Sequence, residues 1–167
     1  MRLFVAVHFT PEVKKALLRA IGDVRAQAER CNPTREENLH LTLAFIGETD
    51  DTRAAIAAVN ECVCPAFGIA VGGAGRFGDL WWAGVEPSRE LSALAESIQR
   101  ALRERGFHIE RRPFRPHVTL AREVRASAPL RLDVPRMTMP VKRVSLMKSE
   151  RAGGRLVYTE VWGRDLT

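Results

Sequence analysis

The hydrophobic positions of this chain change period several times, and each change marks an element. Residues 3–9 carry an alternating strand pattern. Thr10-Pro11-Glu12 then reads as a helix start, with Thr as N-cap, Pro at the first helical position and an acid in the first turn. Val13, Leu17, Ala20, Ile21 and Val24 follow at helical spacing. Asn32-Pro33 marks a loop. Leu39 to Ile46 predicts a strand that Gly47 ends, and Asp50 or Asp51 can cap a short helix with Ile56, Val59 and Val63 on one face. Residues 66–72 and 80–85 predict two strands joined through glycines. Ser88 to Arg105 predicts a second long helix, with Leu91, Leu94, Ala95, Ile98 and Leu102 on its apolar side and Gly106 as its stop. Residues 107–111 fit a short strand, and Pro113 and Pro116 lead into a strand from His117 to Val124. Ala126 to Pro135 has no clear period. Val141 to Ser149 and Arg155 to Trp162 predict a hairpin around Ala152-Gly153-Gly154.

No linker or low-complexity run divides the chain, and 167 residues fit one domain or two lobes sharing a core. Residues 1–167 are therefore expected to form a single two-lobed domain. Half-buried strands with hairpin links favour an α+β architecture of antiparallel sheets with helices packed outside. Each of two strands follows a long helix, which points to two related halves and a pseudo-twofold arrangement around a central cleft.

Those two strands carry the chemistry. His40-Leu41-Thr42-Leu43 is answered by His117-Val118-Thr119-Leu120. A strand has a side-chain period of two, so His and Thr share one face and the apolar residues take the other. Two imidazoles near neutral pH can give and take a proton in one reaction. Each threonine adds a hydroxyl that can donate to an anionic oxygen. Arg122 stands three positions beyond Thr119 and would face away on a regular strand, so a bulge or its own length must bring it to the cleft. His8 and His108 have no recurring partner and read as ordinary histidines.

The net charge of +6 and pI near 9.9 come mainly from arginine. Arg100, Arg103, Arg105, Arg111, Arg112, Arg115, Arg122 and Arg125 surround the second motif. Arginine pairs bidentately with phosphate, and a basic field attracts polyanions. Three cysteines, Cys31, Cys62 and Cys64, are too few for a disulfide framework and lack zinc spacing. The opening residues form too short an apolar run for a signal peptide, and no run reaches the length of a membrane span, so a cytoplasmic protein without membrane contact is expected.

Gly73-Ala74-Gly75-Arg76-Phe77-Gly78 is a literal G-x-G-x-x-G. A dinucleotide site needs a helix to open there, whereas Asp79-Leu80-Trp81-Trp82 continues as a strand, so the glycines read as a turn and no cofactor is expected. Glu36, Glu37, Glu48 and Glu123 lie near the motifs but none shares a strand face with its histidine at ligand spacing; Glu123 is six residues from His117, an even offset that keeps it formally in phase. No metal is expected. Phe45, Trp81, Trp82 and Phe114 read as core, with base stacking as the alternative.

Asn38-Leu39-His40-Leu41-Thr42-Leu43-Ala44-Phe45-Ile46-Gly47 and Phe114-Arg115-Pro116-His117-Val118-Thr119-Leu120-Ala121-Arg122 resemble the RNA 2′,3′-cyclic phosphodiesterases, also labelled 2′-5′ RNA ligases, of the two-histidine phosphoesterase superfamily. The Arg2-Leu3-Phe4-Val5-Ala6 opening and the closing Ser149 and Tyr158 are similar too. The resemblance implies a bilobal α+β fold with both motifs in one cleft. It implies metal-independent hydrolysis of RNA 2′,3′-cyclic phosphate ends to 2′-phosphates, with reversible 2′-5′ ligation as a companion reaction. It assigns His40 as proton donor and His117 as proton acceptor, with Thr42, Thr119 and Arg122 on the phosphate. The expected partner is RNA with such ends, tRNA fragments being one source, bound by a monomer. A non-catalytic RNA-end binding module and a phosphodiesterase of small cyclic nucleotides are the alternatives.

Overall fold

A computed structural model describes all 167 residues. The elements run β1 (Arg2–Val7), α1 (Pro11–Gln27), β2 (Arg30–Pro33), a 3₁₀ turn (Glu36–Asn38), β3 (Leu41–Glu48), α2 (Thr52–Glu61), β4 (Phe67–Phe77), β5 (Leu80–Val85), α3 (Arg89–Glu104), β6 (His117–Arg125), β7 (Met137–Val141), β8 (Arg143–Ala152) and β9 (Arg155–Asp165). Two antiparallel sheets result, one ordered β3-β1-β8-β9 and the other β2-β6-β5-β4-β7. We call them the first and second sheet. The fold is α+β, with the helices outside the sheets.

The helices begin where the sequence places them. Thr10, Asp51 and Ser88 each accept a backbone N–H from the first turn of α1, α2 and α3. The helices also tie the two lobes together. α1 leaves the first sheet after β1 but packs against β2, β6 and β7 of the second; α3 leaves the second sheet after β5 but packs against β3 of the first. Leu17 and Ile21 of α1, and Leu91, Ile98 and Leu102 of α3, are buried in one cluster with Leu41, Leu43, Val118 and Leu120. The apolar faces of both motif strands therefore lie in a shared core, and their His and Thr faces point the other way into the cleft.

Five local expectations change. Asn32-Pro33 belongs to β2, which pairs with β6; β2 is an edge strand, where proline costs no ladder bond. Residues 107–111 form no strand, because no sheet edge meets them and Arg103 takes the Ile109 and Glu110 carbonyls instead. Val63 lies beyond α2, which ends at Glu61, and is 72% exposed. The segment before Val141 contains β7, an edge strand that tolerates Pro140, and Lys142 separates it from β8.

The fifth change concerns the glycine run. β4 continues through Gly72, Gly73 and Gly75 to Phe77, and only Gly78 sits in the turn to β5. Gly73 and Gly78 have positive φ, +72° and +61°. Gly75 has a different reason: a Cβ there would overlap the indole of Trp82, its cross-strand partner. The run is thus sheet architecture rather than a nucleotide loop. Gly75→Ala should cost about 1–3 kcal/mol of stability by overpacking. Urea unfolding measures this loss, and a shifted tryptophan emission would report displacement of Trp82.

Candidate active site

The two motifs are the same local structure on two sheets. In β3, Ala6 pairs with Thr42 but Val5 with Ala44, so Leu43 is an extra residue in the ladder. In β6, Trp82 pairs with Thr119 but Trp81 with Ala121, so Leu120 is the extra residue. Each is a β-bulge placed directly after the His-x-Thr. A bulge of one residue inverts the alternation beyond it. Leu43 and Ala44 are consequently both buried, as are Leu120 and Ala121. The next residues, Phe45 and Arg122, turn back to the face of the threonines. Arg122 thus reaches the cleft without stretching, and Glu123, formally in phase on a regular strand, is carried off the histidine face with φ +53°.

The bulged backbone is satisfied by neighbours. Gln99 of α3 donates from Nε2 to the Leu43 carbonyl at 2.9 Å. The Thr34 hydroxyl donates to the Thr119 carbonyl, and the Thr34 N–H to that of Leu120, both at 2.9 Å. Such partners matter because an orphaned buried carbonyl costs about 1–3 kcal/mol.

The histidines are held alike. His40 donates from Nδ1 to the Asn38 carbonyl at 2.7 Å, and His117 donates from Nδ1 to the Arg115 carbonyl at 2.7 Å. A carbonyl only accepts, so Nδ1 carries the proton in both rings and Nε2 is left for chemistry. Beyond that the two differ. His40 Nε2 lies 2.8 Å from the Thr42 hydroxyl. His40 also sits between Phe4, at 4.9 Å, and Tyr158, edge-on at 5.2 Å. Asn38, which carries the clamping carbonyl, is 6% exposed and anchored by its amide to the Leu156 carbonyl at 2.9 Å. His117 is more open. Phe77 packs edge-on against it at 5.3 Å.

Burial pushes the His40 imidazole below the ordinary histidine value; the Asn38 carbonyl opposes this, and His8, Arg122 and His117 lower it further by their charge. His40 therefore senses Arg122 and His117 across the cleft, which brings residues of both sheets to one site. His8 follows Phe4 and Ala6 in the period of two and reaches the same face. Burial raises the Tyr158 hydroxyl above its usual value, while Arg122 and Arg2 act against it. Neither Arg2 nor Arg122 forms an ion pair, whereas Arg35, Arg105, Arg112, Arg136 and Arg143 do. The site thus keeps two uncommitted guanidiniums.

The structure brings together His40, Thr42, His117, Thr119 and Arg122. Sequence reasoning did not assign Phe4, Asn38, Arg2 or His8 to the site. Asn38 was findable in principle, since the residue two before each histidine supplies the same carbonyl. Phe45 is 64% exposed at the cleft rather than core. Trp81 is half-buried against the Ala121 cluster, and Phe114 packs on the main core. The arginine cluster divides: Arg103 and Arg105 secure α3, while Arg100, Arg103 and Arg111 line a cavity of about 460 Å³ with Glu96 and Glu104, apart from the histidines. No three His, Cys, Asp or Glu side chains converge as a metal-holding group. No helix is long and apolar enough to cross a membrane.

The electrostatics give a direct check. In the free protein the His40 ring should titrate below the ordinary histidine midpoint, read from its Cε1 proton by NMR. Inorganic phosphate in the cleft should raise the midpoint, because an anion favours imidazolium. Arg122→Ala should also raise it by removing a cation. An unmoved midpoint in the variant would mean that Arg122 does not face the cleft in solution.

The 2′-5′ RNA ligase superfamily profile matches residues 11–153. An RNA 2′,3′-cyclic phosphodiesterase of Geobacillus stearothermophilus is 35% identical over 75% of this chain, the match spanning 43% of that protein. The RNA 2′,3′-cyclic phosphodiesterase of Escherichia coli is 30% identical over 95% of this chain and 92% of its own length. The crystal structure of E. coli LigT complexed with 3′-AMP superposes with a TM-score of 0.86 at 26% identity, covering 99% of this chain and 98% of that one. The profile, the relatives and the superposed structure agree: the chain belongs to the 2′-5′ RNA ligase superfamily, in the branch that holds these phosphodiesterases.

Proposed function

We propose that this protein hydrolyses RNA 2′,3′-cyclic phosphate ends to 2′-phosphates by two-histidine acid–base catalysis. The observation that carries the reading is the pair of equivalent carbonyl clamps. They leave an Nε2 from each sheet for one substrate, each imidazole beside an in-phase threonine, with an unpaired arginine opposite. Relatives bearing that activity by name, and a structural neighbour complexed with 3′-AMP, support it.

Neutral His117 takes a proton at Nε2 from water as the water oxygen attacks phosphorus. The bond from phosphorus to the 3′ oxygen breaks, and imidazolium His40 gives its Nε2 proton to that oxygen. The products are a 2′-phosphate and a 3′-hydroxyl. In-line displacement requires the two imidazoles on opposite sides of phosphorus. Thr42, Thr119 and Arg122 hold the non-bridging oxygens as charge builds on them. Exposed Phe45 offers its face to the terminal base. His40 must be charged although burial disfavours that charge. The bound phosphate anion supplies the compensation, so substrate raises the acid's pKa in the complex.

Residues 1–167 act here as one two-lobed domain, since each lobe's sheet packs on a helix that starts from the other. The enzyme works as a monomer, because both histidines come from one chain. Three free thiols fit a reducing compartment, and we place the enzyme in the cytoplasm, acting on RNA ends such as those of tRNA fragments.

An RNA ending in a 2′,3′-cyclic phosphate should yield a 2′-phosphate, identified by isomer-resolved chromatography. A 3′-phosphate would reverse the leaving group, and binding without turnover would leave only an RNA-end module. His40→Ala and His117→Ala should each lose about 10²–10⁴ in kcat with the fold retained by circular dichroism. Arg122→Ala should lose on the order of 10²–10³. Both kcat and kcat/KM should be bell-shaped in pH. The kcat bell should lie at higher pH, since kcat reports the complex, where the substrate anion favours imidazolium.

A further inference from the structure

One aromatic feature of the cleft is not used by hydrolysis. The second sheet presents His117 and Thr119 on β6, Gly84 and Trp82 on β5, and Gly75 and Phe77 on β4 to the cleft, as the cross-strand pairs show. Gly75 leaves room for the Trp82 indole to lie across β4. Phe77 packs on that indole at 5.4 Å and stands edge-on to His117 at 5.3 Å and 84°. Tyr158 meets His40 with the same 84° geometry at 5.2 Å, but there the wall is closed, with Phe4 packed 4.9 Å from Tyr158. On the His117 side the wall is open, and Phe77 is 44% exposed. A large aromatic ring has thus been built on a supported platform and left facing solvent beside one imidazole only.

That imidazole is the one that receives the nucleophile's proton. Water needs no platform. A nucleoside does, and a base stacks on any exposed aromatic face regardless of its sequence. We propose that Phe77, carried on Trp82, is the stacking platform for an acceptor nucleoside that brings an RNA 5′-hydroxyl to His117 in place of water. This rests on the acid–base reading above. The 5′-hydroxyl proton passes to His117 Nε2, a bond forms from the 5′ oxygen to phosphorus, and the bond to the 3′ oxygen breaks. That oxygen takes the proton of His40, leaving a 2′-5′ phosphodiester with no further reactant. The two exposed aromatic rings then divide the work: Phe45 on the first sheet for the nucleoside that carries the cyclic phosphate, Phe77 on the second for the nucleoside that attacks it.

The test is a partition. The full-length protein is given an RNA with a 2′,3′-cyclic phosphate together with excess 5′-hydroxyl RNA, and the ratio of joined to hydrolysed product is measured. Damage to His117 or loss of folded protein lowers both products and cancels in the ratio; loss of acceptor binding does not cancel. Phe77→Ala and Phe77→Leu should lower the ratio about fivefold or more, and Phe77→Trp should keep it near wild type. Cleavage of a 2′-5′-linked dinucleotide, the reverse reaction, should fall in step relative to hydrolysis. An unchanged ratio in Phe77→Ala and Phe77→Leu would overturn the platform. So would a wild-type enzyme that hydrolyses cyclic ends but neither joins RNA nor cleaves 2′-5′ bonds. Failure of the wild type to hydrolyse cyclic ends would instead refute the proposed function, and this inference with it.

Discussion

A one-residue bulge after each His-x-Thr is the constraint on which the site depends. A regular strand would bury Phe45 and Arg122 in the two halves of the core. The extra residue, Leu43 in β3 and Leu120 in β6, lets two successive positions face inward and returns the next to the cleft. Each strand therefore offers three cleft residues within six: His40, Thr42 and Phe45 on one sheet, His117, Thr119 and Arg122 on the other. The leucines make this stable. Both are fully buried in the same cluster, and straightening either strand beyond its threonine would turn Ala44 or Ala121 out of the interior while pressing Phe45 or Arg122 into it. The surrounding hydrogen bonds from Gln99 and Thr34 hold the shape once it forms.

The crossed helices explain why two such strands can meet. Each motif strand belongs to one sheet, but the long helix preceding it in the chain packs on the other. The apolar backs of both motifs share one cluster with α1 and α3, so the lobes cannot separate without exposing buried leucine. The two histidines, on different sheets, are thereby kept at fixed separation. An in-line displacement needs that fixity more than it needs any single contact.

Much of this was legible in the chain. The period of two placed His and Thr on a common face, and the caps at Thr10, Asp51 and Ser88 started all three helices where expected. The repeat runs further than the tetrapeptide: His-x-Thr-Leu-Ala is followed by Phe in one copy and Arg in the other, and two apolar residues in a row after the threonine are the written trace of the bulge. What could not be read were contacts set by distant chain. Asn32-Pro33 pairs because β6 lies beside it. Residues 107–111 alternate like a strand but meet no edge. Gly75 is needed only because Trp82 lies across it, and no spacing rule states which indole crosses which strand. His8 likewise gained its place near His40 only from the sheet.

The unequal settings of the two histidines give the site a direction. His40 lies in the drier half, between Phe4 and Tyr158, with three potential cations about it, and burial disfavours its charge. As the proposed acid, His40 is therefore disfavoured in its charged form until an anion arrives. In the proposed reaction a cyclic phosphate in the cleft offsets the field of Arg122, favours the imidazolium, and gives the proton somewhere to go. The interaction strengthens as charge gathers on the phosphorane oxygens, so it is greater for the transition state than for the ground state. The carbonyl of Asn38 keeps Nδ1 protonated throughout, so the only proton free to move is the one at Nε2. His117 is set differently: Phe77 stands edge-on to its ring, the Arg115 carbonyl holds its Nδ1, and no protein hydroxyl occupies its Nε2, which leaves that atom open to the cleft.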